Sequence, residues 1–330
     1  MIAKERTIPL RLIKLEGLLK RLPINHPKRP LIEQDLAKRK AGFSGEKASD
    51  YYVHKLPEKD FIIFHDLRLQ NGSHFFQIDT LILHPTFALI LEIKNIKGTI
   101  YFDSTFKQLI RFSDNNEEGF LDPISQADRQ KNELRKWLET INISLPMEYL
   151  VVISNPSTII KTNEQNYEAM KRVLHAHKLI DRIATFKKKY NFEGLATSEL
   201  SKIKRNLIKK HVPEQINILG VYKIPEVDIV TGIQCPSCSS CSMLRQFGTW
   251  ACPVCKHKDK SAHKLALLDY LLLFNSSISN QQFRDFLRLS SIDTPKYLLK
   301  SMDLPYSGLN KGRVYHLDTL LSNEITQISK

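Results

Sequence analysis

Long apolar runs are missing from this chain, and so are cysteines outside one short window. The most apolar stretch, Leu265 to Phe274, carries Asp269 and falls well short of the roughly 20 residues needed to cross a bilayer. The opening, MIAKERTIPLRLIKLEG, is charged throughout and holds no apolar region of the signal-peptide kind. All five cysteines lie between positions 235 and 255. That clustering excludes a disulfide framework spread over the chain and points to metal binding in a reducing compartment. A cytoplasmic location without a membrane partner is the expectation. Acidic charge is short as well: 49 Lys and Arg face 35 Asp and Glu, leaving +14. Such an excess attracts polyanions, of which nucleic acid is the commonest. No internal repeat or low-complexity tract is present.

What is present suffices for two or three units with their own cores, since the chain has 330 residues and ordinary apolar content. Residues 1–40 are basic and helix-prone, broken by the cluster Pro23 to Pro30. They read as an accessory helical extension rather than a nucleic-acid-contacting arm. Residues 41–160 read as mixed α and β. A helix is expected over 44–56 with Ser44 as N-cap. Strands follow at Phe61 to Leu67, Phe75 to Leu83 and Phe87 to Lys94, with turns at Asn71-Gly72 and His84-Pro85. A helix over Gln126 to Thr140 and a buried strand over Tyr149 to Ser154 complete the order α-β-β-β-α-β. That order predicts an α/β domain, a mixed sheet flanked by helices. Residues 161–230 are helical and Lys-rich, with LSKIKRNLIKKH at 200–211 a solvated amphipathic helix.

The chemistry concentrates in the third strand. Side chains alternate along a strand, so Glu92 and Lys94 point the same way while Leu89, Leu91 and Ile93 point the other. An acid and an amine at the end of an apolar strand are costly unless something uses them. Alone they would read as an ordinary ion pair. Asp79 interrupts the preceding apolar strand in the same manner, and Glu46 lies on the helix before. Adjacent strands lie about 4.8 Å apart, so Asp79 and Glu92 can share one divalent ion. Carboxylate oxygens suit Mg²⁺ or Mn²⁺, and a neighbouring lysine can orient or help deprotonate an attacking water and stabilise developing charge. This is the equipment of phosphodiester hydrolysis.

The segments GFSGE at 42–46, QIDTLILHPTFALILEIKN at 77–95, KGTIY at 97–101 and DPISQ at 122–126 resemble the NERD domain, the nuclease-related domain. That family is assigned to the PD-(D/E)xK nuclease superfamily, which implies a restriction-endonuclease-like fold. The resemblance implies that Glu46 is the helix-borne acid, Asp79 and Glu92 the metal ligands, and Lys94 the catalytic lysine. Gln126 matches a glutamine opening the second helix, a phosphate or active-site contact whose role Gln130 could share. Ile78 stands where the superfamily name carries proline.

Cys235-Pro-Ser-Cys238 and Cys252-Pro-Val-Cys255 form C-x2-C-x13-C-x2-C. Four thiolates at this spacing close a structural Zn²⁺ site of ribbon type over residues 231–260, with no position open for catalysis. Cys241 offers an alternative partner, but the matching Cys-Pro-x-Cys pairs favour Cys235 and Cys238. His257 and His263 are expected on the surface.

Residues 261–330 read as three helices, KLALLDYLLLF, SNQQFRDFLRL from Ser279 and TPKYLLKSMDL from Thr294, with Ser279 and Thr294 as N-caps. A basic turn and strand, GLNKGRVYHL, follows. Three helices and a basic wing resemble a winged helix-turn-helix, which implies that the helix at 294–303 enters a DNA groove while Lys311 and Arg313 touch phosphates. The alternative is a small helical interaction domain. The sequence as a whole points to a Mg²⁺-dependent deoxyribonuclease with DNA as partner and no small-molecule cofactor, its oligomeric state left open. The second reading is a non-catalytic, zinc-containing DNA-binding protein with an inactive nuclease-like domain.

Overall fold

The computed structural model describes residues 1–113 and 116–320. The chain divides into two compact units, Met1–Thr7 with Lys40–Glu214 and Ile8–Arg39 with Gln215–Lys330. The first elements are strand β1 (Ile2–Lys4) and helices α1 (Leu10–Arg21) and α2 (Arg29–Val53). Pro30 suits the first turn of α2. The helix then runs unbroken past Ser44, so that serine is not the N-cap expected from the sequence. Only Ile32 is buried between positions 31 and 43, so the first half of α2 has no apolar stripe to announce it.

The first unit continues with β2 (Ile62–Asn71), β3 (His74–His84), β4 (Phe87–Lys94), β5 (Thr99–Asp103), β6 (Gln108–Ser113) and β7 (Asn116–Leu121). Then come α3 (Pro123–Glu139), β8 (Met147–Ile153), β9 (Ile159–Thr162), α4 (Tyr167–Arg172), β10 (Val173–His175), α5 (Leu179–Lys189) and α6 (Thr197–Lys210). Its main sheet is mixed and six-stranded, ordered β1-β2-β3-β4-β8-β10. Strands β2, β3 and β4 form antiparallel hairpins, while β8 runs parallel to β4. Residues from α3 and α6 close one face of this sheet, and residues from α5 close the other. Burial on both faces explains the unbroken apolar run of β4. A second sheet, β7-β6-β5-β9, was not expected from the sequence. Its outer strands β7 and β9 have no fully buried residue, so they carry no core signal.

The β2–β3 ladder pairs His65 with Thr80 and Leu67 with Ile78, but lapses between them at Asp66 and Asp79. Asp66 takes a left-handed φ of 49°, a conformation that Asp tolerates better than bulky residues do. The inward parity switches at this kink. Phe64 precedes it and Leu67 and Leu69 follow it in one core, as Ile78 and Leu81 do on β3. The two aspartates occupy the switch.

The second unit packs α1 with α7 (Ile218–Tyr222) around Leu15, Leu18, Ile218 and Tyr222. Strands β11 (Leu244–Gln246), β12 (Thr249–Ala251) and β13 (Lys258–Asp259) form a small antiparallel sheet. There follow α8 (Ala262–Leu273), β14 (Ser277–Ser279), α9 (Asn280–Leu287), α10 (Asp293–Ser301), β15 (Tyr306–Ser307) and β16 (Val314–His316). Strands β14, β16 and β15 pair in that order. Helix, strand, two helices and a two-strand wing is the succession of a winged helix. Ser279 caps α9 reciprocally with Gln282. Thr294 is not a cap: it lies inside α10, whose start is held by Ser291 Oγ accepting from the Asp293 and Thr294 amides. Among the described residues no helix is long and apolar enough to cross a membrane.

Candidate functional site

The end of β4 carries the site. Its last residues, Glu92 and Lys94, form an ion pair of 2.7 Å, with Glu92 only 2% exposed. Helix α3 lies over them, started by Asp122, whose carboxylate accepts from the Ile124 and Ser125 amides. One turn apart on α3, Gln126 and Gln130 divide the work. Lys94 Nζ donates to Gln126 Oε1 at 3.2 Å, and Gln130 Nε2 donates to Glu92 Oε2 at 2.8 Å. Gln130 therefore holds the Glu92 carboxylate, whereas the sequence offered it only as a residue that could share the contact expected of Gln126.

Asp79 reaches the same strand end from β3, its Oδ2 accepting from the Ile93 amide at 2.8 Å. Glu46 arrives from α2 because that helix approaches the sheet at Gly45. A Cβ there would stand 2.6 Å from Ser154 Oγ and closer still to Asn95 Cβ. Glycine is the residue that permits such contact. Glu46, Asp79, Glu92, Lys94 and Gln126 thus stand within one electrostatic neighbourhood.

Sequence reasoning missed three members of this neighbourhood: Arg6, Asp50 and Asp66. Arg6 Nη1 donates to Glu46 at 2.6 Å and to Asp66 at 3.0 Å, while Nε pairs with Asp50 at 2.8 Å. Asp66 gave the signal that revealed Asp79, an acid inside an apolar strand, FIIFHDLRL. Arg6 gave none, since its partners lie 40 to 60 positions away.

The local charge is unbalanced. Burial lifts Glu46 to about 8, with Asp79 adding repulsion and Arg6 opposing it. Burial likewise lifts Glu92 to about 7, again with Asp79 adding to it and Lys94 opposing. Asp66 rises to about 6 through burial despite Arg6 and Lys4, and burial raises Asp79 too. Lys94 goes the other way: burial would lower it, but Glu92 and Asp79 hold it above the usual lysine range. It is a fixed ammonium. Five carboxylates, counting Asp50, face Arg6, Lys94 and Lys4, so the donor set fits a further cation with a preference for oxygen.

The cysteines form a second site. Cys235, Cys238, Cys252 and Cys255 place their sulfurs within 4.8 Å of one another. Cys235 and Cys255 lie 3.5 Å apart, Cys238 and Cys252 3.6 Å. A tetrahedron of thiolates about 2.3 Å from zinc has edges of about 3.8 Å, so the cluster is compatible with a zinc ribbon. The two knuckles repeat each other. Ser239 and Lys256 each take a left-handed φ, and their amides donate to Cys235 and Cys252 carbonyls. Cys241 stands outside the cluster. His263 is not on the surface as expected: it is 4% exposed, accepting from Trp250 Nε1 at 3.1 Å. Among the described residues no other group of three or more His, Cys, Asp or Glu ligands converges so closely.

In the wing, the Arg313 guanidinium lies over the Tyr306 ring at 4.3 Å. The Lys311 side chain lies outside the described residues.

A mixed sheet flanked by helices, with acid and lysine closing its central strand, defines a nuclease-like α/β domain. Residues 41–154 match the family described as nuclease-related domain, NERD. No curated protein matches the chain. The crystal structure of protein VC1899 from Vibrio cholerae aligns at 12% identity and a TM-score of 0.26, over 56% of this chain. The alignment spans 52% of that structure's length and is too slight to inform the fold.

Proposed function

We propose that the chain is a Mg²⁺-dependent nuclease hydrolysing phosphodiester bonds in DNA. The observation that carries this reading is the geometry at the end of β4: Glu92 and Lys94 paired on one face, with Asp79 bonded to the amide between them. Asp79 and Glu92 would hold the ion, and Gln130 keeps Glu92 oriented. A divalent ion held there would supply charge stabilisation to the phosphate and help activate the attacking water. Lys94 is held charged by its neighbours, so its work is to donate to the phosphate or the attacking water rather than to remove a proton. Gln126 fixes the Lys94 amine from the other side.

The net charge of +14 suits a polyanionic substrate. The four cysteines would hold structural Zn²⁺, and the winged module, with α10, Lys311 and Arg313, would contact DNA. Incubating the purified protein with plasmid and linear DNA, and with RNA, in Mg²⁺, Mn²⁺ or EDTA tests the proposal. Cleavage of DNA with either ion and none in EDTA is expected. Binding without cleavage under every condition would instead support the non-catalytic DNA-binding reading.

A further inference from the structure

Arg6 lies outside the matched residues 41–154, yet no other side chain at the site has as many partners. It is 4% exposed. Besides Glu46 and Asp66, it clamps Asp50 through Nε at 2.8 Å and Nη2 at 3.1 Å. Nη2 also donates to Thr80 Oγ1 at 2.9 Å and to the Asp79 carbonyl at 3.2 Å. A guanidinium has five N–H donors, and these contacts engage all three of its nitrogens. No donor is left facing outward for a phosphate. Arg6 is thus an internal cation rather than a substrate contact.

Its position matters more than its charge. Nη1 bridges Glu46 Oε2 at 2.6 Å and Asp66 Oδ1 at 3.0 Å. Two carboxylates sharing one positive group is the arrangement a bridging metal ion would otherwise complete. Two-metal phosphodiesterase sites set their ions about 3.5–4 Å apart and need carboxylates for both. Here Glu46, the acid available for a second ion beside Asp79, is already satisfied by the guanidinium. Building on the metal-dependent reading above, we propose that Arg6 takes the place of a second metal ion, so that the site binds a single divalent ion at Asp79 and Glu92. Arg6 is then a positioning residue: it holds Glu46 and Asp66 apart from the ion and keeps the cluster from collapsing or repelling itself open. The strand β1 delivers it by pairing in parallel with β2, so the N-terminal segment is part of the site.

The test is a Mn²⁺ titration of the full zinc-loaded chain, followed by calorimetry and by the electron paramagnetic resonance of free Mn²⁺. The wild type is expected to take one Mn²⁺ per chain, lost in Asp79→Ala. Arg6→Gln is expected to take two, returning to one when Asp66→Asn is added, and Arg6→Lys is expected to keep one. Two ions in the wild type, or an unchanged count and affinity in a folded Arg6→Gln, would overturn the proposal. A wild-type count of two overturns the proposal even where Arg6→Gln does not fold. A wild type with no Asp79-dependent ion is a separate result: it removes the metal-dependent reading itself, and the role of Arg6 with it.

Discussion

Gly45 of α2 is packed so tightly against Asn95, just past β4, that a methyl group on the glycine would overlap the Asn95 Cβ. This contact sets how far Glu46 reaches into the site. In an exposed helix interior, glycine to alanine stabilises by about 1 kcal/mol. Here the sign reverses. Gly45→Ala is expected to destabilise by about 1–3 kcal/mol, the ordinary cost of overpacking, read by denaturant unfolding. A neutral or stabilised variant would mean that the approach of α2 is looser than described.

The raised carboxylates predict a pH dependence. Glu46 and Glu92 titrate near 8 and 7 in the folded, ion-free protein, above their unfolded values. Folding therefore takes up protons, and these groups cost stability as pH rises through that range; below about pH 4 the cost vanishes. A divalent ion held by ionised Asp79 and Glu92 would remove the Glu92 penalty, and its charge nearby would ease that of Glu46. Mg²⁺ should thus raise the melting temperature more at about pH 8.5 than at about pH 5.5. Equal increments at both would contradict the assignment.

The cysteine cluster shares a core with the winged module: Cys235, Cys252 and Trp250 pack with Leu267, Phe283 and Tyr315. Removing one thiolate therefore should not be a local event. Cys252→Ser is expected to lower bound zinc below one per chain and to increase proteolysis throughout residues 215–320, leaving the residues 40–214 resistant. Zinc loss with an unchanged digestion pattern would show that the ribbon supports only itself.

Phe247 tips the β11–β12 hairpin at φ 45°, followed by Gly248 at φ 79°, and its ring is wholly exposed. Two successive left-handed residues make the kind of turn that favours Asn-Gly, and a non-glycine aromatic in this region costs about 1 kcal/mol or more. Phe247→Asn should raise the stability of the metal-loaded ribbon by a similar amount. Scanning calorimetry that finds no gain would place the strain elsewhere.

Much of the site was legible because it violates the pattern around it. Glu92, Lys94 and Asp79 interrupt apolar strands, and β4 runs from Phe87 to Lys94 as its composition predicts. The cysteine knuckles were legible because spacing and proline repeat. Asp66 shows the same interruption as Asp79, but the parity switch at the kink hid it: an alternating count places Phe64 and Leu67 on opposite faces, whereas both lie in one core. Arg6 was hidden by distance along the chain, since nothing local distinguishes it from the other basic residues of the first segment. The first half of α2 and the burial of His263 were hidden for a related reason. Exposure in one and a tertiary partner, Trp250, in the other decide the structure, and neither is a local property.

The proposed function assigns phosphodiester cleavage to the acids and lysine at the end of β4. Single-turnover cleavage of linear DNA in Mg²⁺ by wild type, Asp79→Ala and Lys94→Ala tests it most directly, with folding checked by circular dichroism. Each substitution should slow cleavage by about a hundredfold or more, and Lys94→Ala should still bind Mn²⁺ where Asp79→Ala does not. Wild-type rates in both folded variants would contradict this assignment, because whatever activity remained would then belong to another site.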